Sequence, residues 1–256
     1  MFKQIRILVL LLVLLFVALN TYFDRVYSTD WDIPLRVAVF PINADGSPVA
    51  QRYIGALERD QFVPIEAFFS QQAQRYGVKL ERPFRFTLAA PIDELPPAIE
   101  PGSGPFGIAM WSLHMRYWTW SKPQPPPGAA PDIRLFVLYH DPALSPSLPH
   151  SVGLQKGLFA VVNAFADKRE EGGNDTVIAH ELLHTVGATD KYDLATNQPL
   201  DPIGIADPDR QPLYPQSRAE LMGGRIALSP LKATIPESLR QVIVGPATAL
   251  EIRWTK

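Results

Sequence analysis

Two histidines four residues apart, His180 and His184, fall inside the run Thr176-Val177-Ile178-Ala179-His180-Glu181-Leu182-Leu183-His184-Thr185-Val186, which otherwise reads as a buried helix. A helix repeats every 3.6 residues, so the two imidazoles stack on one face and point at a common site. Neutral imidazoles converging in this way are the commonest protein ligands for zinc. A catalytic zinc takes a third protein ligand and keeps one position open for water. Glu181 follows the first histidine directly, so its carboxylate leans toward that open position and can take a proton from the water there. A fold for this chain must therefore bring a third donor to one face of a helix and leave a cleft in front of it.

The next residues supply that donor. Gly187 can adopt the left-handed conformation that ends a helix, which turns the chain back under the site and presents Asp190 three residues later. Asp193 is the fallback if the loop runs differently. Residues 180–190 thus spell HExxHxxGxxD, which resembles the extended motif of the metzincin zinc peptidases; their third ligand is usually histidine, and aspartate marks the snapalysin-like variants. A carboxylate cancels one unit of metal charge that histidine leaves in place, so the resemblance implies a less acidic bound water. Downstream, Ala219-Glu220-Leu221-Met222-Gly223-Gly224-Arg225 offers a methionine and two turn-forming glycines, similar to the methionine turn beneath the metal in that clan. Some members place a tyrosine two residues after the methionine. Gly224 stands there instead, and Tyr192 and Tyr214 are the candidates for steadying the developing oxyanion. The resemblance implies zinc held by His180, His184 and Asp190, Glu181 as general base and then acid, and Met222 as the floor.

The start of the chain constrains its location. Residues 7–19 are uninterrupted Leu, Val, Ile, Phe and Ala, preceded by Lys3 and Arg6, and such a run cannot be the surface helix of a soluble domain. The stretch that follows lacks the paired small residues of a cleaved signal, so residues 1–30 read as an uncleaved anchor. The basic residues ahead of the run place the N-terminus in the cytoplasm and the body, 31–256, outside it, in the periplasm or extracellular space. Cleavage would make the protein secreted. A net charge of −2 and the lack of basic runs give no reason to propose nucleic acid as a partner. The absence of cysteine rules out disulfides and thiolate metal sites.

The body reads as an α/β (α+β) domain with a mixed sheet, an active-site helix and an irregular C-terminal part. Residues 35–40 form a first strand stopped at Pro41, with Asp45 and Gly46 in a turn. Helical spacing runs from about Val49 to Gly77, with Pro64 starting or kinking a second segment, and residues 84–88 alternate as a strand. Pro91 to Pro105 describe a loop. Residues 106–121, with three tryptophans, read as a packed or membrane-facing helix in which His114 is no ligand. A proline-rich linker, 123–131, precedes the strongest strand, 133–139. His140 and His150 flank a loop and default to solvated histidines. Residues 151–155 and 158–163 are two further strands, the former at the sheet edge, where a peptide could add through main-chain hydrogen bonds.

Gly172-Gly173-Asn174-Asp175 reads as a break followed by a helix cap, which accounts for Asn174-Asp175-Thr176 without a glycosylation site. Prolines are about twice as frequent as usual, 26 of 256, and Asp201-Pro202, Asp207-Pro208 and Tyr214-Pro215 predict an irregular region after the motif. Asp201, Asp207 and Asp209 lack the alternation of a calcium loop. Residues 236–244 look like a closing helix, and 249–254 are too short to classify. The sequence thus points to a membrane-anchored zinc endopeptidase acting on peptides or proteins. The alternatives are a non-catalytic envelope binding or assembly protein on the same fold, and a zinc hydrolase of non-peptide substrates.

Overall fold

The computed structural model describes Gln4, Arg6, Ile7 and Leu11 and residues 29–98, 102–122, 130–155 and 157–255. Apart from Ile7 and Leu11, the N-terminal apolar run lies outside the described residues, as does most of the proline-rich linker. Among the described residues no helix is long and apolar enough to cross a membrane.

The centre is a five-stranded mixed sheet of β1 (Leu35–Asn43), β2 (Phe84–Leu88), β3 (Ile133–His140), β4 (Val152–Leu154) and β5 (Phe159–Phe165). Its spatial order is β2-β1-β3-β5-β4. The first four strands in that order are parallel, and β4 runs antiparallel to β5 at the edge. Among the described residues of the body five helices accompany it: α1 (Pro48–Gly55), α2 (Val63–Arg75), α3 (Pro105–Ser121), α4 (Glu171–Thr185) and α5 (Pro246–Glu251). Side chains alternate across a strand, so each strand serves two cores. Val37, Val39, Leu135, Val137, Ala160 and Val162 pack with α1, α2 and α4. Ala38, Phe40, Phe136 and Phe159 face the other way and pack with Met115 and Trp118 of α3. The result is three layers with the sheet between α3 and α4. Trp31 closes the first core against Phe84 and Trp254, and its ring N–H donates to Ile252 O at 2.7 Å, tying the start of the body to its end.

Several elements depart from the sequence reading. Strand β1 continues through Pro41 to Asn43. Its ladder with β2 ends at Val39, and Pro41 O faces that side, so the missing proline N–H leaves no bond unmade. The Gly172-Gly173-Asn174-Asp175 stretch is no break, because α4 starts at Glu171 and runs straight through it. Gly172 is there for close approach: a Cβ would sit 2.3 Å from Glu237 O. Asn174 caps nothing. Its buried amide brackets the end of β5, accepting from Phe165 N and donating to Phe165 O, both at 2.9 Å. Residues 236–244 form a short 3-10 turn and β9 (Val242–Ile243), not a helix; the closing helix is α5. Strand β9 pairs with β6 (Ala219–Glu220), while β7 (Ile226–Ser229) and β8 (Lys232–Thr234) make a second two-stranded ribbon.

Asp175, in the second turn of α4, is pushed up to about 7 by burial, with Glu171 adding to the effect. The folded state then holds a proton that the unfolded chain releases near pH 4, so this group costs stability progressively as pH rises from about 4 to about 7 and fully above that. Asp175→Asn should leave stability unchanged at pH 4 and raise it at pH 8 by on the order of 1–2 kcal/mol. Thermal melts of the two proteins across that range measure it.

Candidate metal centre

Helix α4 delivers His180 and His184 to one face, and the chain then reverses. The helix ends at Thr185, and Gly187 takes φ 101°, a conformation that L side chains rarely adopt. The reversal returns Asp190 to the rings: its Oδ1 lies 3.0 Å from His180 Nε2 and 3.1 Å from His184 Nε2, and the two Nε2 atoms are 3.1 Å apart. The adjacent Lys191 takes no part in this. Its buried ammonium bonds Glu251 Oε2 at 2.6 Å and Thr189 O at 3.0 Å, so Asp190 is free of the ion pair its neighbour could have imposed. Asp193 is a turn residue, its Oδ1 accepting from Ala195 N and from Thr196 N and Oγ1.

The other nitrogen of each ring settles which atoms face inward. His180 Nδ1 donates to Leu221 O at 2.9 Å, and His184 Nδ1 donates to Ala188 O at 2.8 Å. A carbonyl carries no proton, so each Nδ1 must bear the hydrogen, and in the neutral ring each Nε2 presents a lone pair. Two lone pairs and a carboxylate oxygen thus converge on one point. A single proton bridges at most two of these atoms, and protonating both rings would set two cationic N–H groups 3.1 Å apart. One cation satisfies all three. Tetrahedral ligands about 2.0–2.1 Å from zinc stand roughly 3.3–3.4 Å from one another, close to the separations here. The donor set therefore fits zinc. The protein grips both outer ring nitrogens, as metal-bound histidines require.

Glu181 sits beside this cluster, its carboxylate oxygen and the two ring nitrogens all within 4.8 Å of one another. It is 6% exposed, and its Oε2 has no hydrogen-bond partner. Burial pushes its carboxyl up, and the neighbouring histidines pull it back only in part. Asp190 goes the other way: burial works against its charge, but the two imidazoles at its Oδ1 favour the ionised form and hold its carboxyl well below the usual carboxylate range.

Next to Leu221, whose carbonyl holds His180, Met222 is fully buried in the turn Leu221–Gly223, which Gly224 closes at φ 70°. Glu220 fixes this turn from inside the protein, accepting from Gly223 N, Gly245 N and Thr248 Oγ1. A cleft of about 330 Å³ opens in front, lined on one side by Val177, His180 and Glu181 and on others by Tyr192, Arg225 and Ile235. Tyr192 lies 6.3 Å from His180, ring to ring. Tyr214 is not among the lining residues, which leaves Tyr192 as the tyrosine placed to reach the cleft. Exposed His150 lines the rim, whereas His140 is engaged with Asn163 Oδ1 at 2.8 Å. Asp201, Asp207 and Asp209 join no group of metal-capable side chains among the described residues.

Some of the site's supports are silent in the sequence. Gly153 of β4 lies against α4 so closely that a Cβ there would meet both Glu181 O and His184 Cβ at 2.5 Å. Glu251, sixty residues away, holds Lys191. Neither has a local pattern; only the packing reveals them. The chain matches no protein-family model and no curated protein, so any likeness rests on these residues alone.

The purified full chain in detergent should carry about one zinc per molecule by elemental mass spectrometry. His180→Ala and His184→Ala should remove it, and Asp190→Ala should weaken it by more than the ~10–100-fold typical of losing an outer-shell partner. Unchanged zinc affinity in Asp190→Ala would take aspartate out of the ligand set.

Proposed function

We propose that the chain is a zinc-dependent endopeptidase with a metzincin-like site, anchored in a membrane by its N-terminal run with the cleft outside the cytoplasm. The observation that carries the reading is the convergence of His180 Nε2, His184 Nε2 and Asp190 Oδ1, with the buried carboxylate of Glu181 within 4.8 Å of both ring nitrogens. Zinc, when bound, supplies the Lewis acidity that lowers the pKa of a water and polarises the substrate carbonyl. His180, His184 and Asp190 hold the ion, and the carbonyls of Leu221 and Ala188 keep the rings aimed. The Glu181 carboxylate accepts the water's proton, aided by a carboxyl that burial has made more basic, and gives it to the departing amine. The Tyr192 hydroxyl, kept protonated by burial and the nearby carboxylates, is the candidate donor to the oxygen that gains charge.

Strand β4 supports a peptide as substrate. It pairs with β5 on one side only, and Ser151 and His150, just ahead of it, line the same cleft as Glu181. A substrate strand added to that edge would run along the site by main-chain bonds, with little demand on sequence.

Glu181→Gln should keep its zinc and lose about 10²–10⁴-fold in kcat against any peptide that a mixed library returns, because the amide keeps the shape but cannot take the proton. Zinc-loaded wild-type protein that cleaves nothing in the library would retire the peptidase reading in favour of a binding protein or a hydrolase of other substrates.

Edge-strand binding makes its own demand. N-methylation of a substrate amide flanking the cut should lower kcat/KM several-fold, the ~0.5–1.5 kcal/mol of one main-chain hydrogen bond, and methylation at no position doing so would remove β4 from substrate binding.

A further inference from the structure

The face of α3 turned away from the sheet is an apolar stripe. Phe106, Met110, Leu113, Tyr117 and Trp120 follow one another in steps of four and three residues, so they lie along one side of the helix. They are not covered: Phe106 is 80% exposed, Met110 50%, Leu113 59%, Tyr117 65% and Trp120 72%. A monomeric domain in water rarely shows so continuous a patch. The inner face is fixed, since Met115 and Trp118 are buried against Phe136 and the Trp118 ring N–H donates to Glu94. The stripe is thus a rigid display that nothing among the described residues partners.

We propose that this face of α3 lies in a lipid bilayer surface, as a second membrane contact beside the N-terminal anchor. The chain itself argues for that occupant. Nine residues, 20–28, separate the end of the apolar run at Leu19 from Thr29, where the described body starts. They span at most about 35 Å even when fully extended, so the body cannot leave the membrane surface by more than its own dimensions. Any apolar face is then held at high effective concentration next to lipid. The composition suits the interface, where Tyr and Trp rings settle at headgroup depth and an amphipathic helix buries its apolar face by about 5–10 Å. A second copy of the chain fits less well. A stable protein interface takes roughly 20–30 residues from each side, and this stripe supplies five.

The arrangement also orients the molecule. The sheet stands between α3 and α4, so resting α3 on lipid puts the layer that carries His180 and His184 on the far side of the sheet from the bilayer. The assignment rests on the membrane reading of the N-terminal run and is independent of the hydrolase reading.

Tryptophan emission tests it. Of the five tryptophans, Trp31, Trp118 and Trp254 are buried and Trp111 is half-buried, which leaves Trp120 as the one exposed to lipid. The full chain reconstituted into phosphatidylcholine vesicles with brominated acyl chains should show quenched emission. Trp120→Phe should cut the quenched fraction by at least half, and the double variant M110E/L113E, at two exposed positions, should abolish it with the melting temperature unchanged. Equal quenching in wild type and Trp120→Phe, or none in either, overturns the proposal. So does cross-linking of Met110→Cys between two copies without lipid quenching, which would give the stripe to a dimer. Release of the wild-type chain from the vesicles by alkaline carbonate would sink the anchor and the proposal together.

Discussion

The site depends on two hydrogen bonds that do not touch its centre. His180 Nδ1–H to Leu221 O and His184 Nδ1–H to Ala188 O commit the outer nitrogens of both rings and so decide what the inner ones present. Without those carbonyls the rings could flip tautomer or rotate, and the three-atom convergence would be one arrangement among several. Each carbonyl belongs to a turn on a different side of α4, one made by Gly187 and one by the Leu221–Gly223 segment. The geometry of the imidazoles is therefore written in backbone conformation, which is harder to perturb than a side-chain contact.

Those two turns are in turn held by buried charge. Lys191, 1% exposed, pairs with Glu251 and ties the segment carrying Asp190 to the C-terminal helix. Removing the partly exposed Glu251 would leave the buried Lys191 ammonium without its carboxylate. Glu220 likewise fixes the turn whose Leu221 carbonyl holds His180, accepting three hydrogen bonds from two segments while burial raises its carboxyl. Asn174 pins the start of α4 to β5. The helix, the loop behind it and the turn beneath it are thus each fastened to a different part of the body, and the cleft is framed by elements that cannot drift independently.

What could be read from the sequence was what is local. His180, Glu181 and His184 sit on one helix, and Gly187 and Asp190 follow within six residues, so helix period and one left-handed turn are enough to predict their meeting. The strands β1, β2, β3 and β5 and the edge position of β4 were legible from alternation and chain order. Gly172-Gly173-Asn174 was misleading for the opposite reason. Local rules assign such residues to a break and a cap, but here the glycine admits the backbone of Glu237 and the asparagine completes β5, both contacts from elsewhere in the chain. Residues 236–244 failed likewise, because pairing of Val242 and Ile243 with β6 overrides their helical appearance. Pro41 misled because its place in the sheet, past the end of the β2 ladder, cannot be known before the strand order is.

In the proposed zinc site, aspartate rather than a third imidazole would change more than the ligand count. With Asp190 and Glu181 both ionised, the cluster carries two negative charges, and a divalent ion brings it to zero; three histidines would leave one positive charge in a half-buried pocket, where unpaired charge is expensive. In the proposed zinc site a carboxylate donor would make a bound water less acidic than a third imidazole would, which by itself would weaken hydrolysis. The structure offers a counterweight. Burial raises the carboxyl of Glu181, and a base of higher pKa takes a proton more readily from a less acidic donor, so the effects on acid and base move together. A site with Asp190 among its donors therefore calls for a buried glutamate, whereas a three-histidine site could manage with a more solvated one. The close packing of Gly153 against α4, which keeps β4 pressed over Glu181, is the structural form that this requirement takes here.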